Sequence, residues 1–428
     1  MQEIFLLFGN CKEVNRNKLN MKALTLKSPM PWPVLILLLL LWGGGPIRGL
    51  ILGISLRIPF ISAFSNAMPN IITIIFVLLS VPYFLKKIRN VDLFFYVFIA
   101  IIFLLNYLLY PNNNDILDIY AYPFLVASVP FYFIGLVYDI EKLFNYTAIV
   151  SIIALLVSAT SVFLFGHVEE LTTEAMTAGH KCLPHVLLMI MCVFIQKRNR
   201  WIYLGFAAIG ILLLLVYANR MSLFAVLCFL ACCLFLMPAS SKNKTRAKRV
   251  AALIIVIVAF SFVGSFVTGI ESISAYFGTS TRIVDYYNQG DVLDSNGRDY
   301  LWSQMIYHIV HNPFGVGLGG DRLLINTWSH NLFLEILLSF GLFLGPIIIL
   351  MLLYVIYIGF RYAKDNIQRF FLLILFFAGV FKLQFSSSFL NDSFIFFMVG
   401  YCIFLYRNRN NGVLPKIQIE NIDDKSNS

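Results

Sequence analysis

The sequence has little charge. Only 13% of its 428 residues are Asp, Glu, Lys or Arg, whereas 59% are hydrophobic and 16% are aromatic. Soluble domains carry about a quarter charged residues, because even a large folded domain needs a polar surface. The mean hydropathy of +0.81 points the same way. The composition therefore excludes a soluble enzyme, a secreted disulfide scaffold and a disordered chain, and it predicts an all-α, polytopic membrane protein.

Long apolar runs take the place of the missing polar surface. A helix needs about 20 mostly apolar residues to cross the hydrocarbon core of a bilayer. By this measure we predict twelve spans: 31–51, 67–85, 91–110, 118–138, 146–166, 176–195, 201–217, 222–239, 250–268, 331–358, 367–385 and 388–406. Gly43–Gly45 and Pro46 interrupt the first span, which also resembles a signal peptide. Because no small-residue cleavage site follows it, we expect a retained helix.

The basic residues are divided unevenly between the two sides of the predicted bundle. Most of the 32 Lys and Arg residues precede span one, follow the even-numbered spans or lie in the C-terminal tail. This pattern predicts that both termini are cytoplasmic. It also accounts for the net charge of +10 without nucleic-acid binding. The opposite side holds few cations: Arg48, Arg57, Lys181, Arg220, Arg282, Arg298 and Arg322.

One predicted loop on that opposite side is much longer than the others. Residues 269–330 are polar or mixed, and long loops are usually functional. Within the loop, Leu301, Met305, Ile306 and Ile309 recur at helical spacing, which predicts an amphipathic helix over 297–311 on the membrane face. The predicted organisation is a cytoplasmic segment 1–30, a bundle 31–268, the loop 269–330, three spans within 331–406 and a cytoplasmic tail 407–428.

The sequence lacks cysteine and histidine motifs for metal binding. None of its seven cysteines forms a CxxC pair, and most of them lie in apolar runs, where cysteine behaves as a small apolar side chain. A few acids and histidines follow span five, but their spacing matches no strong ligand motif. We interpret them as solvated loop residues: His167, Glu169, Glu170 and His180.

Two arginines on the opposite side are candidate phosphate ligands. Arg220 lies in a short turn between spans seven and eight, either as a cation that reaches the membrane surface or as a phosphate-binding fork. Arg298 follows Ser295 and Asn296, which predict a helix cap, so it falls in a first helical turn where the dipole favours acids. A cation is locally unfavourable there, which favours a functional role over a solvated arginine paired with Asp299.

His330 lies where the polar loop meets the apolar run of span ten. An ordinary histidine pKa near 6.5 suits it to take a proton from a hydroxyl; the alternative is a structural histidine at the interface. Arg322 is a further candidate cation, in the glycine-rich segment 312–322. No buried strand precedes that segment, which excludes dinucleotide binding. We expect a flexible loop whose backbone can approach a ligand closely.

Four motifs follow one another in an order that is typical of one family: ANR (218–220), GR-x-x-x-W (297–302), H-N-P-F-G-x-G (311–317) and S-H-N-x-x-L-E (329–335). Gly341 and Gly345 follow in the next helix. The order resembles the O-antigen ligase and polymerase superfamily of bacterial surface-polysaccharide assembly. The resemblance is specific over 297–345 and rests on topology elsewhere.

The resemblance implies a fold related to the lipid-linked-sugar glycosyltransferases, with an active site at the periplasmic face of the inner membrane. It implies a glycan donor on undecaprenyl pyrophosphate and neither a metal nor another cofactor. Arg220 and Arg298 take the positions of the arginines that grip the pyrophosphate, and His330 that of the histidine that activates the acceptor hydroxyl. Arg322 matches no family position, and we expect it to bind substrate. A chain-length regulator is a further expected partner.

Three functions stay open at this point. A polymerase joins lipid-linked repeat units, whereas a ligase transfers the finished polymer to lipid A–core, and both need the same arginines and histidine. A flippase or transporter predicts ionisable residues near the bilayer midplane, and Lys382 in span eleven is the main residue of that kind. We expect the polymerase. The sequence leaves the sugars, the oligomeric state and the true start (Met1 or Met21) undetermined.

Overall fold

A computed structural model describes residues 30–57, 67–165, 172–195, 200–217, 219–236 and 298–409. These residues form helices joined by turns, and no strand occurs among them. The all-α prediction is therefore confirmed for this part of the chain. Predicted span nine (250–268), the predicted loop before Arg298 (269–297), residues 1–29 and residues 410–428 lie outside the described residues.

The described helices run in the following chain order: α1 (Trp32–Trp42), α2 (Gly44–Arg57), α3 (Ala67–Leu85), α4 (Asn90–Leu109), α5 (Asn114–Pro123), α6 (Val129–Val137), α7 (Ile140–Phe165), α8 (Thr172–Ile195), α9 (Arg200–Val216), α10 (Arg220–Leu236), α11 (Arg298–His311), α12 (Gly320–Ile325), α13 (Leu332–Tyr362), α14 (Asn366–Phe376) and α15 (Ser393–Arg407). A 3-10 turn, Pro111–Asn113, leads into α5, and π-helical turns follow α5 (Phe124–Ser128) and α14 (Phe377–Phe381).

Five of these helices, within the described ranges, are long and apolar enough to cross a membrane: α3, α4, α7, α8 and α13. Two bent pairs, α1 with α2 and α5 with α6, raise the number to seven, and α9, α10, α14 and α15 are shorter apolar helices. The chain is thus a multi-pass membrane protein. The twelve-span count stays a prediction.

The first predicted span is broken where its glycines occur. α1 and α2 meet at a bend of 68°, and the N–H of Gly43 still donates to the carbonyl of Leu39 at 2.9 Å. A Cβ on Gly43 would lie 2.8 Å from Cγ1 of Val150 in α7. Glycine therefore allows close contact between α1 and α7 at the bend.

The core of the bundle forms around Trp42 at the end of α1. Its indole packs on the rings of Phe131, Phe371 and Phe397, which belong to α6, α14 and α15, at centroid distances of 6.0–6.3 Å. Its Nε1 donates to Oγ of Ser151 at 2.9 Å. Aromatic burial and a satisfied indole N–H together hold α1, α6, α7, α14 and α15 around one centre.

The two ends of the bundle differ in composition. One end, here called the site end, holds the start of α11, the turn before α13 and the segment after α14, and it carries Arg298, Arg322 and His330. The opposite end holds the start of α4 and the end of α15, which an ion pair between Asp92 and Arg407 joins. Which end is periplasmic stays a prediction.

Candidate functional site

Helix α11 positions Arg298 at the site end. The predicted helix is present and begins at Arg298. Met305 and Ile309 are buried against Leu338 of α13, whereas Ile306, predicted to share their face, is 53% exposed. Helix α13 and the short helix α12 both contact α11, and the buried face is narrower than the sequence pattern predicts.

The glycine-rich segment before Arg322 is docked on α13. The N–H groups of Val316 and Gly317 donate to the carbonyls of Leu338 and Ser339 at 2.9 and 3.1 Å. Those carbonyls are available because α13 breaks at Gly341, whose φ of 74° and ψ of −179° are not helical. The expectation of a flexible loop is wrong here, since its backbone is hydrogen-bonded to a helix; its close approach to a ligand stays a prediction.

The end of α4 holds the same segment from the other side. Oδ1 of Asn106 accepts from the N–H of Leu318 at 2.7 Å. Nδ2 of Asn113 donates to the carbonyls of Val316 and Leu318 at 2.9 and 3.1 Å. Both asparagines are buried. Buried side-chain amides that satisfy the backbone N–H and C=O groups of the loop hold the segment in place. They thereby fix the start of α12 and the position of Arg322.

The Ser-His-Asn sequence anchors His330 on both sides. The N–H of Ser329 donates to Oδ2 of Asp321 at 3.3 Å, and Asn331 caps α13, its Oδ1 accepting from Phe333 and Leu334 at 3.1 Å. Between these anchors His330 has a φ of +49°. A non-glycine residue in the left-handed region costs about 1 kcal/mol, and such strain concentrates at functional sites.

His330 is uncharged at neutral pH. Burial first, and then the positive charges of Arg298 and Arg322, lower its pKa from 6.5 to about 4. Among the described residues its buried Nδ1 has no hydrogen-bond partner. Both arginines therefore lie close enough to act on the ring, and the neutral ring is in the form that accepts a proton.

Arg322 is held by two carboxylates and two aromatic rings. Its Nη1 lies 2.5 Å from Oδ1 of Asp321 and 3.4 Å from Oε1 of Glu335. The guanidinium carbon lies 4.7 Å from the ring centre of Tyr120 and 5.8 Å from that of Trp328. Only 8% of the arginine side chain and 1% of each acid are exposed. The sequence-predicted cation is thus a fixed group beneath the surface.

Helices α8 and α10 meet at the same end. Nδ1 of His180 lies 3.1 Å from Oγ of Ser222, and Arg298, His330 and Lys382 are within electrostatic range of His180. The interpretation of His180 as a solvated loop residue is wrong, because α8 extends past it and its ring contacts Ser222 of α10. His167, Glu169 and Glu170 lie outside the described residues.

Arg220 opens α10, as its predicted place in a short turn requires. Asn219 precedes it, and Oδ1 of Asn219 accepts from the N–H of Ser222 at 3.0 Å. The start of α10 therefore lies beside His180, within the same cluster of helix ends as Arg298 and His330. A role of the Arg220 side chain stays a prediction.

Sequence reasoning assigned no role to the two acids that hold Arg322. Glu335 lies inside the apolar run of α13, where an ionisable residue is by itself a signal of function. Ser388 donates to its Oε1 and the N–H of Phe389 to its Oε2. Asp321 had no comparable signal, since it lies in a polar loop, and three-dimensional proximity alone identifies it.

Lys382 lies near the end of predicted span eleven. The helical residues that follow α14 continue through Lys382 to Leu383, and the depth of Lys382 in the membrane stays a prediction. Lys382 forms an ion pair with Asp392, which also caps α15 by accepting from the N–H of Phe394. A buried lysine is thus compensated by an acid at the site end.

Within the described ranges, no group of three or more His, Cys, Asp and Glu side chains is arranged to hold a metal ion. Arginine, lysine and histidine side chains lie at the site end, together with the acids that pair with Arg322 and Lys382. Fixed guanidinium groups suit phosphate oxygens, and a neutral histidine suits a hydroxyl proton. The fold and the site thus define a helical membrane protein with an arginine- and histidine-bearing polar site at one end of its bundle.

Residues 218–349 match the model of a protein family described as O-antigen ligase. This match confirms the resemblance to the O-antigen polymerase and ligase superfamily that the motifs predict, over a segment that contains Arg220, Arg298, Arg322 and His330. No curated protein and no solved structure matches the chain.

Proposed function

We propose that the chain is an O-antigen or capsular polysaccharide polymerase. It joins undecaprenyl-pyrophosphate-linked repeat units by glycosyl transfer at the periplasmic face of the bacterial inner membrane. One observation carries the proposal: the segment that matches the O-antigen ligase family brings Arg298 and Arg322 within electrostatic range of the half-buried His330.

The arginines receive the donor in this mechanism. The bond between the anomeric carbon and the pyrophosphate oxygen breaks, and its electron pair leaves with the pyrophosphate. Arg220, Arg298 and Arg322 stabilise the charge that develops there, because fixed guanidinium groups in a partly dehydrated site act more strongly than water does. The charge is then balanced without a divalent ion, so the proposed enzyme is independent of metal and cofactor.

His330 receives the proton of the acceptor. A hydroxyl of the second lipid-linked unit attacks the anomeric carbon, and His330 takes its proton as general base. A pKa of about 4 makes the free enzyme's histidine a weak base. The donor diphosphate offsets the charges of Arg298 and Arg322, which raises that pKa when substrate is bound. The base therefore strengthens only once the donor is in place.

A ligase is the second candidate, because the matching family model carries that description. It would use the same arginines and histidine to transfer finished polymer to lipid A–core. A lipid-linked oligosaccharide transporter is the third candidate. Lys382, the main residue that favoured a transporter, is compensated by its ion pair with Asp392. A chain-length regulator remains the expected partner of the polymerase.

A gel of lipopolysaccharide and surface polysaccharide from a strain that lacks the chain tests the proposal. A single repeat unit on the core, with the ladder absent, supports the polymerase. Bare core, with polymer accumulating on the lipid carrier, supports the ligase instead. An unchanged pattern contradicts both enzymes.

A further inference from the structure

Arg322 presents two hydrogen-bond donors without a partner. Its Nε and Nη2 are both buried, and neither meets the geometry of a hydrogen bond with any residue that the structure describes, although the side chain of Tyr120 lies within reach of the guanidinium. These two atoms share one edge of the guanidinium plane, the edge that binds an oxyanion through two parallel N–H bonds. Unsatisfied donors on a charged group are expensive to bury, so an arginine 8% exposed with a whole edge open needs a ligand.

The opposite side of the guanidinium is fully engaged. Asp321 and Glu335 both bind Nη1, and the ring of Tyr120 covers the guanidinium face at 4.7 Å. Glu335 is fixed in turn by Ser388 and by the N–H of Phe389. The guanidinium therefore cannot rotate to satisfy its own donors without breaking this arrangement, here called the Asp321–Glu335 clamp.

We propose that the Asp321–Glu335 clamp orients Arg322 so that its Nε–Nη2 edge forms a subsite for one phosphate group of the donor. Asp321 and Glu335 are then positioning residues, which act through Arg322 and touch no substrate. An anion at this edge meets the two donors, while the carboxylates lie on the far side of the guanidinium. The proposal rests on the proposed function, because a lipid-linked diphosphate is the phosphate source it names.

Binding to the purified full-length protein in lipid nanodiscs tests the subsite. The probes are undecaprenyl pyrophosphate, inorganic pyrophosphate and glucuronate, a sugar carboxylate. Arg322→Lys keeps the charge and loses the fork, so we expect both phosphate probes to bind about 10-fold more weakly. The exposed Arg361, which donates to Tyr357, supplies the matched control Arg361→Lys, which should leave all three affinities unchanged.

The outcomes separate the subsite from the function. If Arg322→Lys binds both phosphate probes normally while Arg298→Ala does not, the subsite is wrong and the glycosyltransferase stands. If Arg322→Lys weakens glucuronate alone, the edge takes a glycan carboxylate and the proposal is overturned. If neither variant alters the affinity for either phosphate probe, both the subsite and the proposed function are contradicted.

A double-mutant cycle tests the clamp separately. Glu335→Leu removes both acceptors, and we expect it to weaken undecaprenyl pyrophosphate binding about as much as Arg322→Lys does. The double variant should bind no more weakly than Arg322→Lys alone, because both changes act on one group. Glu335→Gln keeps an acceptor and should restore most of the affinity. Additive losses, or no rescue by glutamine, would assign Glu335 a merely structural role.

A structure of the wild-type protein bound to undecaprenyl pyrophosphate decides the question if the variants fail to fold. The proposal expects phosphate oxygens at hydrogen-bond distance from both Nε and Nη2 of Arg322. A diphosphate bound away from this edge overturns it.

Discussion

Two arginines at opposite ends of the bundle, the buried Arg322 and the partly buried Arg407, are paired in different ways. Nη1 and Nη2 of Arg407 donate to the two carboxylate oxygens of Asp92 at 2.7 and 2.5 Å. One carboxylate therefore binds both terminal nitrogens of this arginine. At the site end Asp321 and Glu335 share Nη1 of Arg322, and an entire edge is left over. The first arrangement joins α4 to α15 and is complete.

The difference separates a structural ion pair from a site. The hydrogen-bonding groups of the Arg407–Asp92 pair are satisfied by each other. Arg322 keeps two donors without a partner, and only the surrounding structure holds it in that arrangement. The backbone at the site end is also held in unfavourable conformations, namely the positive φ of His330 and the break of α13 at Gly341. Backbone strain and an arginine with unsatisfied donors at one end, and an arginine with a complete ion pair at the other, support the proposal that the site end performs the chemistry.

The largest effect should come from removing a cation at the site end. Arg298→Ala removes a fixed charge that stabilises the leaving pyrophosphate, and we expect transfer to fall about 100-fold to 1000-fold. The measurement is the surface-polysaccharide ladder of a complemented deletion strain, with membrane abundance followed by immunoblot. Arg361→Ala, at an exposed position, is the control. A normal ladder from Arg298→Ala would remove this residue from the site.

Breaking the closed pair should change stability and leave chemistry intact. Asp92→Ala leaves the Arg407 charge without its partner, and we expect a loss of about 3 kcal/mol. Thermal unfolding in detergent measures this loss, and activity per folded molecule should stay unchanged. The double variant Asp92→Leu/Arg407→Met removes both charges and should recover much of the stability. Lost activity in well-folded Asp92→Ala protein contradicts the distinction between the two ends.

A substitution at the break of α13 should have an intermediate effect. Gly341 has a φ and ψ that only glycine adopts readily, and a Cβ there would meet the backbone of Pro313, Phe314 and Gly315. We therefore expect Gly341→Ala to cost about 2 kcal/mol and to weaken the docking of the loop that carries Arg322. Thermal unfolding and the polysaccharide ladder measure the two consequences.

Gly205 in α9 provides the matched control for this change. An added Cβ meets nothing within 4 Å in the described structure, and alanine favours a helix by up to about 1 kcal/mol. Gly205→Ala should thus be neutral or stabilising. Equal behaviour of the two glycine variants would mean that the break in α13 is not needed.

The smallest expected effect is on pH dependence. The pKa of His330 is lowered to about 4, so the base stays neutral above that pH and becomes protonated below it. The ratio kcat/KM reports free-enzyme pKa values, and its His330-dependent part should be flat from pH 8 to about 5 and fall towards pH 4. An inflection near 6.5, typical of an exposed histidine, contradicts the buried environment. Recovery after return to neutral pH controls for unfolding.

Periodic and compositional signals predicted the apolar helices, the broken first helix and helix α11. These features depend on apolar side chains repeated along the chain, which a single sequence displays directly. The same signals identified Arg298, Arg322 and His330 as candidates because each is a polar residue in a place that topology or helix chemistry disfavours.

Three-dimensional pairing was not available from the sequence. Nothing in the spacing of Asp321 and Glu335 shows that both bind Arg322, or that Ser388 reaches Glu335 across 53 positions. The glycines before Arg322 were correctly identified as sites of close approach, but Gly315 approaches the backbone of α13, and Gly317 and Gly319 approach the side chains of Tyr110 and Ile116. Long-range contacts of this kind depend on how helices pack, which hydrophobic patterns leave undetermined.

The most direct test of the account compares the two ends in one strain background. A deletion strain carries either His330→Ala or Asp92→Ala, each expressed to the membrane abundance of the wild-type protein, and its surface polysaccharide is resolved on a gel. The account predicts that the ladder disappears with His330→Ala and persists with Asp92→Ala. A full ladder from the His330 variant would contradict glycosyl transfer at the site end.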